Sequence, residues 1–188
     1  NNLTETKTFY LQDSITSGGC ASARTPVLVT VNPTPGISVT AVPSICMGQS
    51  INLAALVTDT ASANGVFTYY FALPLTPPNQ LSSPFIVPLT TTTYHILNKT
   101  SLGCADTVSV PVMIHPLPAV QIAQGDSIPV CRGKSVVLMA NGTGSAPLSY
   151  TWSNGLNFPN IPVQASATPG TTATYTVTVT DASGCSSL

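Results

Sequence analysis

The chain has 188 residues and a net charge of −1, and only 6% of its residues are charged, against about a quarter in ordinary soluble domains. Such a composition offers no basic surface for nucleic acid and no polybasic strip for a membrane. The 17 prolines and 13 glycines, with abundant Ser and Thr, favour strands and turns over helices. No apolar run reaches the roughly 18 residues of a membrane span. We read the chain as a piece of a longer protein.

One phrase occurs three times: a tyrosine lies ten residues before a cysteine that follows glycine. The phrase ends at Cys20, Cys104 and Cys185, which are 84 and 81 residues apart. A second phrase, Cys-x-Gly-x-Ser followed by an alternating strand, begins at Cys46 and at Cys131, 85 residues apart. A period near 84 residues is too long for a solenoid repeat and suits a small sandwich domain.

The repeats divide the chain into three pieces. Residues 1–33 are predicted to be the last strands of one repeat, 34–117 a complete repeat, and 118–188 a repeat that lacks its last strand. Segments 27–35 and 110–118 each contain a strand closed by Pro-x-Pro. Short, stiff joints of this kind favour a rod of closely stacked domains.

In chain order, each repeat gives short strands separated by turns. Strands A, B, C, F and G of the second repeat are predicted at 37–42, 51–57, 66–73, 93–98 and 108–115, with the D and E region around 85–89. The corresponding strands of the third repeat are predicted at 120–124, 136–142, 148–153, 161–166 and 174–181. Seven such strands per repeat predict an all-β fold of tandem immunoglobulin-like β-sandwich domains that form an extended rod.

Aligned repeats place aromatic side chains at matched positions. Trp152 and Phe71 on strand C are the predicted central aromatics, and Tyr94 and Tyr175 open strand F. We expect all four to pack in the core, where burial of a large ring stabilises the fold.

The pattern Cys-x-Gly … Tyr-x-Trp … Thr-x-Tyr-x-Val-x-Val-x-Asp-x-x-Gly-Cys resembles the immunoglobulin-like and PKD-like repeats of large surface proteins of Bacteroidetes. The third repeat carries it at Cys131, Gly133, Tyr150, Trp152, Tyr175, Gly184 and Cys185. The middle repeat departs from it, with Phe71 in place of the tryptophan. The resemblance implies secretion by the type IX route to the cell surface, and a role in adhesion or scaffolding.

Four Asp residues each precede Ser or Thr and then an apolar residue. The hydroxyl residues of these triplets are Ser14, Thr60, Thr107 and Ser127. The triplets resemble the O-glycosylation motif of exported Bacteroidetes proteins, and so predict four glycans. Because Asp-Ser and Asp-Thr also start turns, turn chemistry is the alternative interpretation.

Five cysteines indicate disulfides and an oxidising, extracellular compartment. In an immunoglobulin-like topology, Cys46 and Cys131 precede strand B. Cys20, Cys104 and Cys185 follow strand F, at the opposite end of the domain, about 20 Å away along the strands. A disulfide requires Cα atoms within about 7 Å, so bonds within one repeat are disfavoured.

Head-to-tail stacking of domains instead favours an inter-repeat bond between Cys46 and Cys185. Cys20, Cys104 and Cys131 would then pair with cysteines outside this chain. A different strand order would favour intra-repeat bonds, Cys46 with Cys104 and Cys131 with Cys185, and the sequence leaves that alternative open.

No catalytic, cofactor or metal site is predicted. The chain has no Cys-x-x-Cys, no His-Glu-x-x-His and no Gly-rich phosphate loop. His95 and His115 lie at strand positions far from a cysteine phrase, and Glu5 is the only glutamate. Since catalysis needs convergent titratable groups, we do not expect an enzyme.

The function we expect is a stiff stalk segment of a surface adhesin or extracellular filament. Its partners would be neighbouring repeats and other copies in a filament, including a neighbouring chain that donates a strand to the third repeat. The alternative is a carbohydrate- or protein-binding module, for which Tyr69, Tyr70 and Phe158 are candidate contacts.

Overall fold

The computed structural model describes residues 3–14, 17, 19–61, 65–165, 168 and 170–188. The chain forms two compact units. Unit 1 consists of Asn1–Ala41, Asn52–Pro84 and Thr93–Val110. Unit 2 consists of Val42–Ile51, Phe85–Thr92 and Pro111–Leu188. The segment around Cys46, which the repeat pattern assigns to the second repeat, therefore belongs to the same compact unit as the third repeat.

The prediction of an all-β fold is confirmed. The strands up to residue 118 are β1 (Lys7–Leu11), β2 (Thr25–Val29), β3 (Ile37–Val39), β4 (Ser44–Cys46), β5 (Ile51–Asn52), β6 (Val57–Asp59), β7 (Val66–Tyr70), β8 (Phe85–Ile86), β9 (Thr92–Lys99) and β10 (Ala105–His115). Those after it are β11 (Ala119–Ile122), β12 (Ser135–Thr143), β13 (Ser149–Trp152), β14 (Asn160–Gln164), β15 (Val177–Thr180) and β16 (Ser186–Ser187). The helical segments of the described residues are two short 3₁₀ turns, Leu53–Leu56 and Pro77–Asn79.

Unit 2 contains two three-stranded sheets, with strand orders β11-β12-β14 and β13-β15-β16. Side chains alternate between the interior and solvent along each strand, as the pleat requires. The first sheet contributes Leu138, Ala140 and Ile161 to a common core, and the second contributes Trp152 and Val177. The two apolar faces thus pack together in the manner of a β-sandwich.

Strand β9 lies at the centre of another sheet, with strand order β4-β10-β9-β7. Tyr94, Ile96 and Asn98 alternate into the interior along β9. Its neighbour β10 has eleven residues, and Val110 and Val112 of that strand are fully buried. The last three residues of β10 lie in unit 2, where they pair in parallel with β4.

Phe71 is not a core residue, contrary to the prediction from the repeat alignment. Its side chain is 46% exposed. The reason is that β7 ends at Tyr70, and the backbone N–H of Phe71 donates to the carbonyl of Asn79 at 3.0 Å instead of continuing the sheet.

Strand register identifies the true counterpart of Trp152. Trp152 lies opposite Val177, and Tyr69 lies opposite Ile96, the residue that matches Val177 in the Tyr-to-Cys phrase. The alignment is therefore wrong by two residues on strand C. Tyr69 is half-buried, and this burial raises the pKa of its phenol.

The other predicted core aromatics lie in or beside the interior. Trp152 is 2% exposed, and its indole N–H donates to the Phe158 carbonyl at 2.8 Å. Tyr94 is buried. Tyr175 is half-buried and packs against the core of unit 2.

The predicted strand B of the second repeat, residues 51–57, is interrupted by the 3₁₀ turn Leu53–Leu56. The Asn52 carboxamide caps this turn, because its Oδ1 accepts a hydrogen bond from the Ala54 N–H at 3.0 Å. Neither of the two alanines in the turn is β-branched, so the local strand preference is weak. Leu53 is fully buried at the start of the turn.

Replacing Asn98 by valine is expected to raise the free energy of unfolding of unit 1 by about 1 kcal/mol. Asn98 is fully buried, and its Oδ1 atom has no hydrogen-bond partner. The matching residue of the Tyr-to-Cys phrase in unit 2 is Val179, also fully buried. The Gly36 carbonyl, which accepts from the Asn98 amide at 3.3 Å, keeps a second bond from Thr60 N–H at 3.2 Å.

Chemical denaturation of the wild type and the Asn98→Val variant measures this difference. A variant less stable than the wild type would contradict this expectation, because the amide of Asn98 would then stabilise the unit. Val179→Asn, the reciprocal change, serves as the control and is expected to destabilise unit 2, because it buries an amide among apolar side chains.

Candidate functional site

A disulfide joins Cys46 to Cys185, with their Cα atoms 5.6 Å apart and 139 residues of sequence separation. Both cysteines lie in unit 2. In the sequence, Cys46 begins the Cys-x-Gly-x-Ser phrase of the second repeat, whereas Cys185 ends the Tyr-to-Cys phrase of the third. The bond thus joins phrases that the repeat pattern assigns to consecutive repeats, and it excludes the pairings of Cys46 with Cys104 and of Cys131 with Cys185.

Backbone pairing positions Cys46. Strand β4 runs parallel to the end of β10, with Cys46 opposite His115. The next residue, Met47, donates its N–H to the His115 carbonyl at 2.8 Å. The Cys46 N–H donates to the Gln49 side chain at 3.1 Å. The chain then turns at Gly48, whose φ of +84° is strained for any residue with a Cβ.

A buried carboxylate positions Cys185. Asp181 is the one buried acidic side chain among the described residues, and its Oδ1 accepts the backbone N–H of Ser183 at 2.9 Å and of Cys185 at 3.0 Å. Its own backbone N–H donates to the Cys185 carbonyl at 2.9 Å. These three bonds close a tight loop through Gly184, which has φ of +78°. The loop holds Cys185, itself fully buried, in one orientation.

His115 joins the two sides of the bond. Its Nε2 is hydrogen-bonded to Ser44 Oγ at 2.5 Å and its Nδ1 to Ser183 Oγ at 3.2 Å. Ser44 lies two residues before Cys46, and Ser183 two residues before Cys185. We call Ser44, Cys46, His115, Ser183 and Cys185 the disulfide cluster. A serine two residues before each bonded cysteine thus makes a hydrogen bond to the same imidazole ring.

Replacing His115 by alanine is expected to lower the free energy of unfolding of unit 2 by about 1 to 2 kcal/mol, since two hydrogen bonds are lost. His95→Ala is the matched control, because His95 makes a single side-chain bond, to Ser109 Oγ at 2.9 Å. Its effect is expected to stay below about 0.5 kcal/mol. Urea denaturation under oxidising conditions measures both. Equal effects of the two substitutions would show that the ring of His115 does not hold the cluster together.

The remaining cysteines are not part of the cluster. Cys20 and Cys131 are exposed and Cys104 is half-buried, and neither Cys104 nor Cys131 is in a disulfide. By the repeat pattern, Cys131 corresponds to Cys46, and Cys104 to Cys185.

The four hydroxyl residues of the Asp triplets are all exposed: Ser14, Thr60, Thr107 and Ser127. In two of the triplets, the aspartate side chain accepts a hydrogen bond from a nearby backbone N–H group. Asp59 Oδ1 accepts the Ala61 N–H at 3.0 Å, and Asp106 Oδ1 accepts the Thr107 N–H at 2.8 Å. The turn bonds do not exclude glycosylation, because Thr60 and Thr107 are both exposed residues.

The three aromatic residues proposed as contacts of a binding module differ in solvent exposure. Tyr70 is buried and Tyr69 half-buried, whereas Phe158 is exposed. Within the described residues, no group of three or more His, Cys, Asp or Glu side chains is placed to hold a metal ion. In the same part of the chain, no helix has the length and apolar character needed to cross a membrane.

Sequence reasoning missed Asp181, His115, Ser44 and Ser183. The aspartate belongs to the quoted phrase ending in Gly-Cys, and an Asx turn before Gly is a recognisable signal. The role of His115 had no such signal, because its two partners are 71 and 68 residues away in sequence.

No family model matches the chain, and no curated protein matches it. Among solved structures, it is similar to the N-terminal four Ig domains of Dscam1 isoform 4.4, with 14% identity and a TM-score of 0.33 over 93% of this chain and 51% of that chain. It is also similar to murine CEACAM1b, with 14% identity and a TM-score of 0.37 over 78% of this chain and 93% of that chain.

A third similar structure is the I-band fragment I67–I69 from titin, with 13% identity and a TM-score of 0.37 over 84% of this chain and 64% of that chain. The chain spans about half the length of the Dscam1 structure that it matches. All three likenesses concern the fold. The chain is an all-β protein in which two sheets of unit 2 pack as a sandwich, and among its described cysteines it has a Cys46–Cys185 disulfide.

Proposed function

We propose that this chain is a structural segment of an extracellular stalk, in a bacterial surface adhesin or filament, whose consecutive repeats are joined by disulfides. The observation that carries the proposal is the Cys46–Cys185 bond, which links phrases of two consecutive repeats. Disulfides of this kind are typical of extracellular proteins. A covalent link between repeats limits how far they separate under tension, which is the mechanical requirement of a stalk.

The repeat pattern extends the proposal to the other cysteines. If each Cys-x-Gly cysteine bonds the Gly-Cys cysteine of the next repeat, Cys131 pairs with a following repeat, and Cys104 and Cys20 pair with preceding ones. An array of stacked, cross-linked domains would then form a stiff rod. The resemblance of the phrases to Bacteroidetes surface repeats supports secretion by the type IX route.

The surface chemistry fits a secreted glycoprotein. With only 6% charged residues, the chain has few ionic groups to keep it soluble. We propose O-glycans at Ser14, Thr60, Thr107 and Ser127, which are exposed. Mass spectrometry of the protein from its native source should find added sugar mass on peptides that contain these residues. Unmodified peptides at all four positions would remove this part of the proposal.

The second candidate function is that of a binding module. Of its candidate contacts, only Phe158 is exposed, and a single exposed aromatic ring is normal on a protein surface.

Single-molecule stretching from the two chain ends tests the mechanical role. With the Cys46–Cys185 bond intact, only residues 1–46 and 185–188 extend, which gives a total length of about 17 nm. After reduction, the whole chain extends, to about 64 nm. We expect the short extension under oxidising conditions and the long one with a reducing agent. A long extension of the oxidised chain would show that the bond carries no tension, and would contradict the proposed stalk mechanism.

A further inference from the structure

Three asparagines of the chain precede a glycine: Asn64, Asn141 and Asn154. An asparagine in this position can lose its side-chain amide, because the backbone nitrogen of the next residue attacks the side-chain carbonyl carbon. Glycine favours this attack, since it has no Cβ to block the approach. Asn64 lies outside the described residues. Asn141 and Asn154 both belong to unit 2 and are both exposed, but the backbone around them differs.

Asn154 lies in the tight turn that follows strand β13. The Trp152 N–H donates to the Leu156 carbonyl at 2.9 Å, and the Gly155 N–H donates to the Trp152 carbonyl at 2.9 Å. Gly155 has φ of +84°. The Oδ1 atom of Asn154 accepts the Leu156 N–H at 3.2 Å. This bond folds the carboxamide back over the Gly155 peptide, as in an Asx turn, and so brings the side-chain carbon toward the Gly155 nitrogen.

The surroundings of the turn favour the attack. Negative charge develops on Asn154 Oδ1 during the reaction, and this atom already accepts the Leu156 N–H. A backbone donor aimed at such an oxygen lowers the barrier, as in an oxyanion hole. Apart from its chain neighbours, no heavy atom of the described residues lies within 4 Å of the place that a Cβ on Gly155 would occupy. The Gly155 N–H must first leave the Trp152 carbonyl, and an exposed turn opens in this way readily.

Asn141 lies in a backbone that opposes the same reaction. It belongs to strand β12 and lies opposite Gln121 of β11. A side chain in a strand stands nearly perpendicular to the sheet, whereas backbone N–H groups lie in its plane. The Asn141 carboxamide and the Gly142 nitrogen therefore point in different directions. A Cβ added to Gly142 would lie 2.7 Å from the Tyr150 hydroxyl oxygen, so this backbone is packed and has little room to turn toward the carboxamide.

We propose that Asn154 is a site of spontaneous deamidation in the folded protein. The Gly155 nitrogen loses its proton to solvent base and forms a bond to Cγ of Asn154. The Cγ–Nδ2 bond breaks, and the side-chain nitrogen takes up a proton and leaves as ammonia. Water then adds to either carbonyl of the resulting five-membered cyclic imide and opens the ring. The product is an aspartate or an isoaspartate at position 154, and water is the only co-reactant.

The modification changes both the charge and the backbone of the turn. Each conversion takes the net charge of the chain from −1 to −2 at pH 7, so negative charge accumulates on the turn as the protein ages. An aspartate keeps the turn, because its carboxylate still accepts the Leu156 N–H. An isoaspartate adds one atom to the backbone and moves the Leu156 carbonyl away from the Trp152 N–H, which loosens the end of β13. The inference does not depend on the proposed stalk function.

Incubation of the full chain, oxidised and with free thiols alkylated, at physiological temperature and mildly alkaline pH tests the proposal. Tandem mass spectrometry of the tryptic peptide 135–188 assigns the exchange of amide for carboxyl to Asn141 or to Asn154. We expect conversion at Asn154 to be at least about tenfold faster than at Asn141, because only the turn approaches the geometry of attack. The rate at Asn154 should rise with pH, since the Gly155 nitrogen must lose its proton.

The same measurement in concentrated urea is the control for the effect of the fold. Once the chain is unfolded, the two Asn-Gly pairs should convert at rates within about threefold of each other, because neither is held near or away from the geometry of attack. Asn154→Gln should remove most of the conversion in peptide 135–188, whereas Asn141→Gln should leave it unchanged. Equal rates at the two sites in the folded chain would overturn the proposal. So would an Asn154 that stays an amide in the folded chain while the unfolded chain converts.

Discussion

Replacing both Cys46 and Cys185 by serine is expected to lower the free energy of unfolding by about 3 to 5 kcal/mol. The bond closes a loop with a sequence separation of 139 residues, and the chain-entropy model assigns about 5 kcal/mol to a loop of this length. If unit 1 stays folded while unit 2 unfolds, the flexible part of the loop is shorter, and the effect falls toward about 3 kcal/mol. Thermal and urea unfolding of wild type and double variant measure the difference.

Cys131→Ser is the matched control, because Cys131 is exposed and carries a free thiol. It is expected to change stability by less than about 0.5 kcal/mol. Adding a reducing agent to the wild type should reproduce the loss seen in the double variant. Unchanged stability of the double variant would show that the Cys46–Cys185 bond does not constrain the unfolded chain.

Replacing Trp152 by alanine is expected to cost about 3 to 5 kcal/mol of the stability of unit 2. The side chain is 2% exposed and packs between Leu138, Ile161 and Val177. The substitution also leaves the Phe158 carbonyl without the indole N–H that donates to it at 2.8 Å. Since the cavity would open between the two sheets, neighbouring side chains can fill it only in part.

Phe71→Ala is the matched control, since the repeat alignment gives Phe71 and Trp152 the same position. With its side chain 46% exposed, Phe71 should contribute less than about 1 kcal/mol. Chemical denaturation of both variants is followed by circular dichroism, because Trp152, the only tryptophan, lies in unit 2 and Phe71 lies in unit 1. A large loss in Phe71→Ala would restore the original alignment and contradict the register of β7.

The sequence was most informative where its period of two is unbroken. The alternation after the Cys-x-Gly-x-Ser phrase of the third repeat predicted a strand, and β12 lies there, with Leu138 and Ala140 buried at alternate positions. The repeated Gly-Cys and Cys-x-Gly phrases also marked the turns that carry Cys46 and Cys185. These signals are local, so they can be read without knowledge of the tertiary structure.

Errors arose where the pattern depends on distant partners. The end of β7 at Tyr70 is set by a backbone bond from Phe71 to Asn79, which no local pattern indicates. The 3₁₀ turn after Asn52 depends on a side-chain cap that competes with strand pairing. In the disulfide cluster, His115 brings together loops from two repeats, and its partners were visible only in three dimensions.

Disulfide mapping by non-reducing tryptic digestion and mass spectrometry tests the central claim most directly. Cleavage after the five Lys and Arg residues separates the cysteines into peptides 8–24 with Cys20, 25–99 with Cys46, 100–132 with Cys104 and Cys131, and 135–188 with Cys185. We expect a cross-link between peptides 25–99 and 135–188, with peptide 100–132 joined to neither. Cross-links from peptide 100–132 to both of the others would mean bonds within each repeat, and would contradict a covalent link between consecutive repeats.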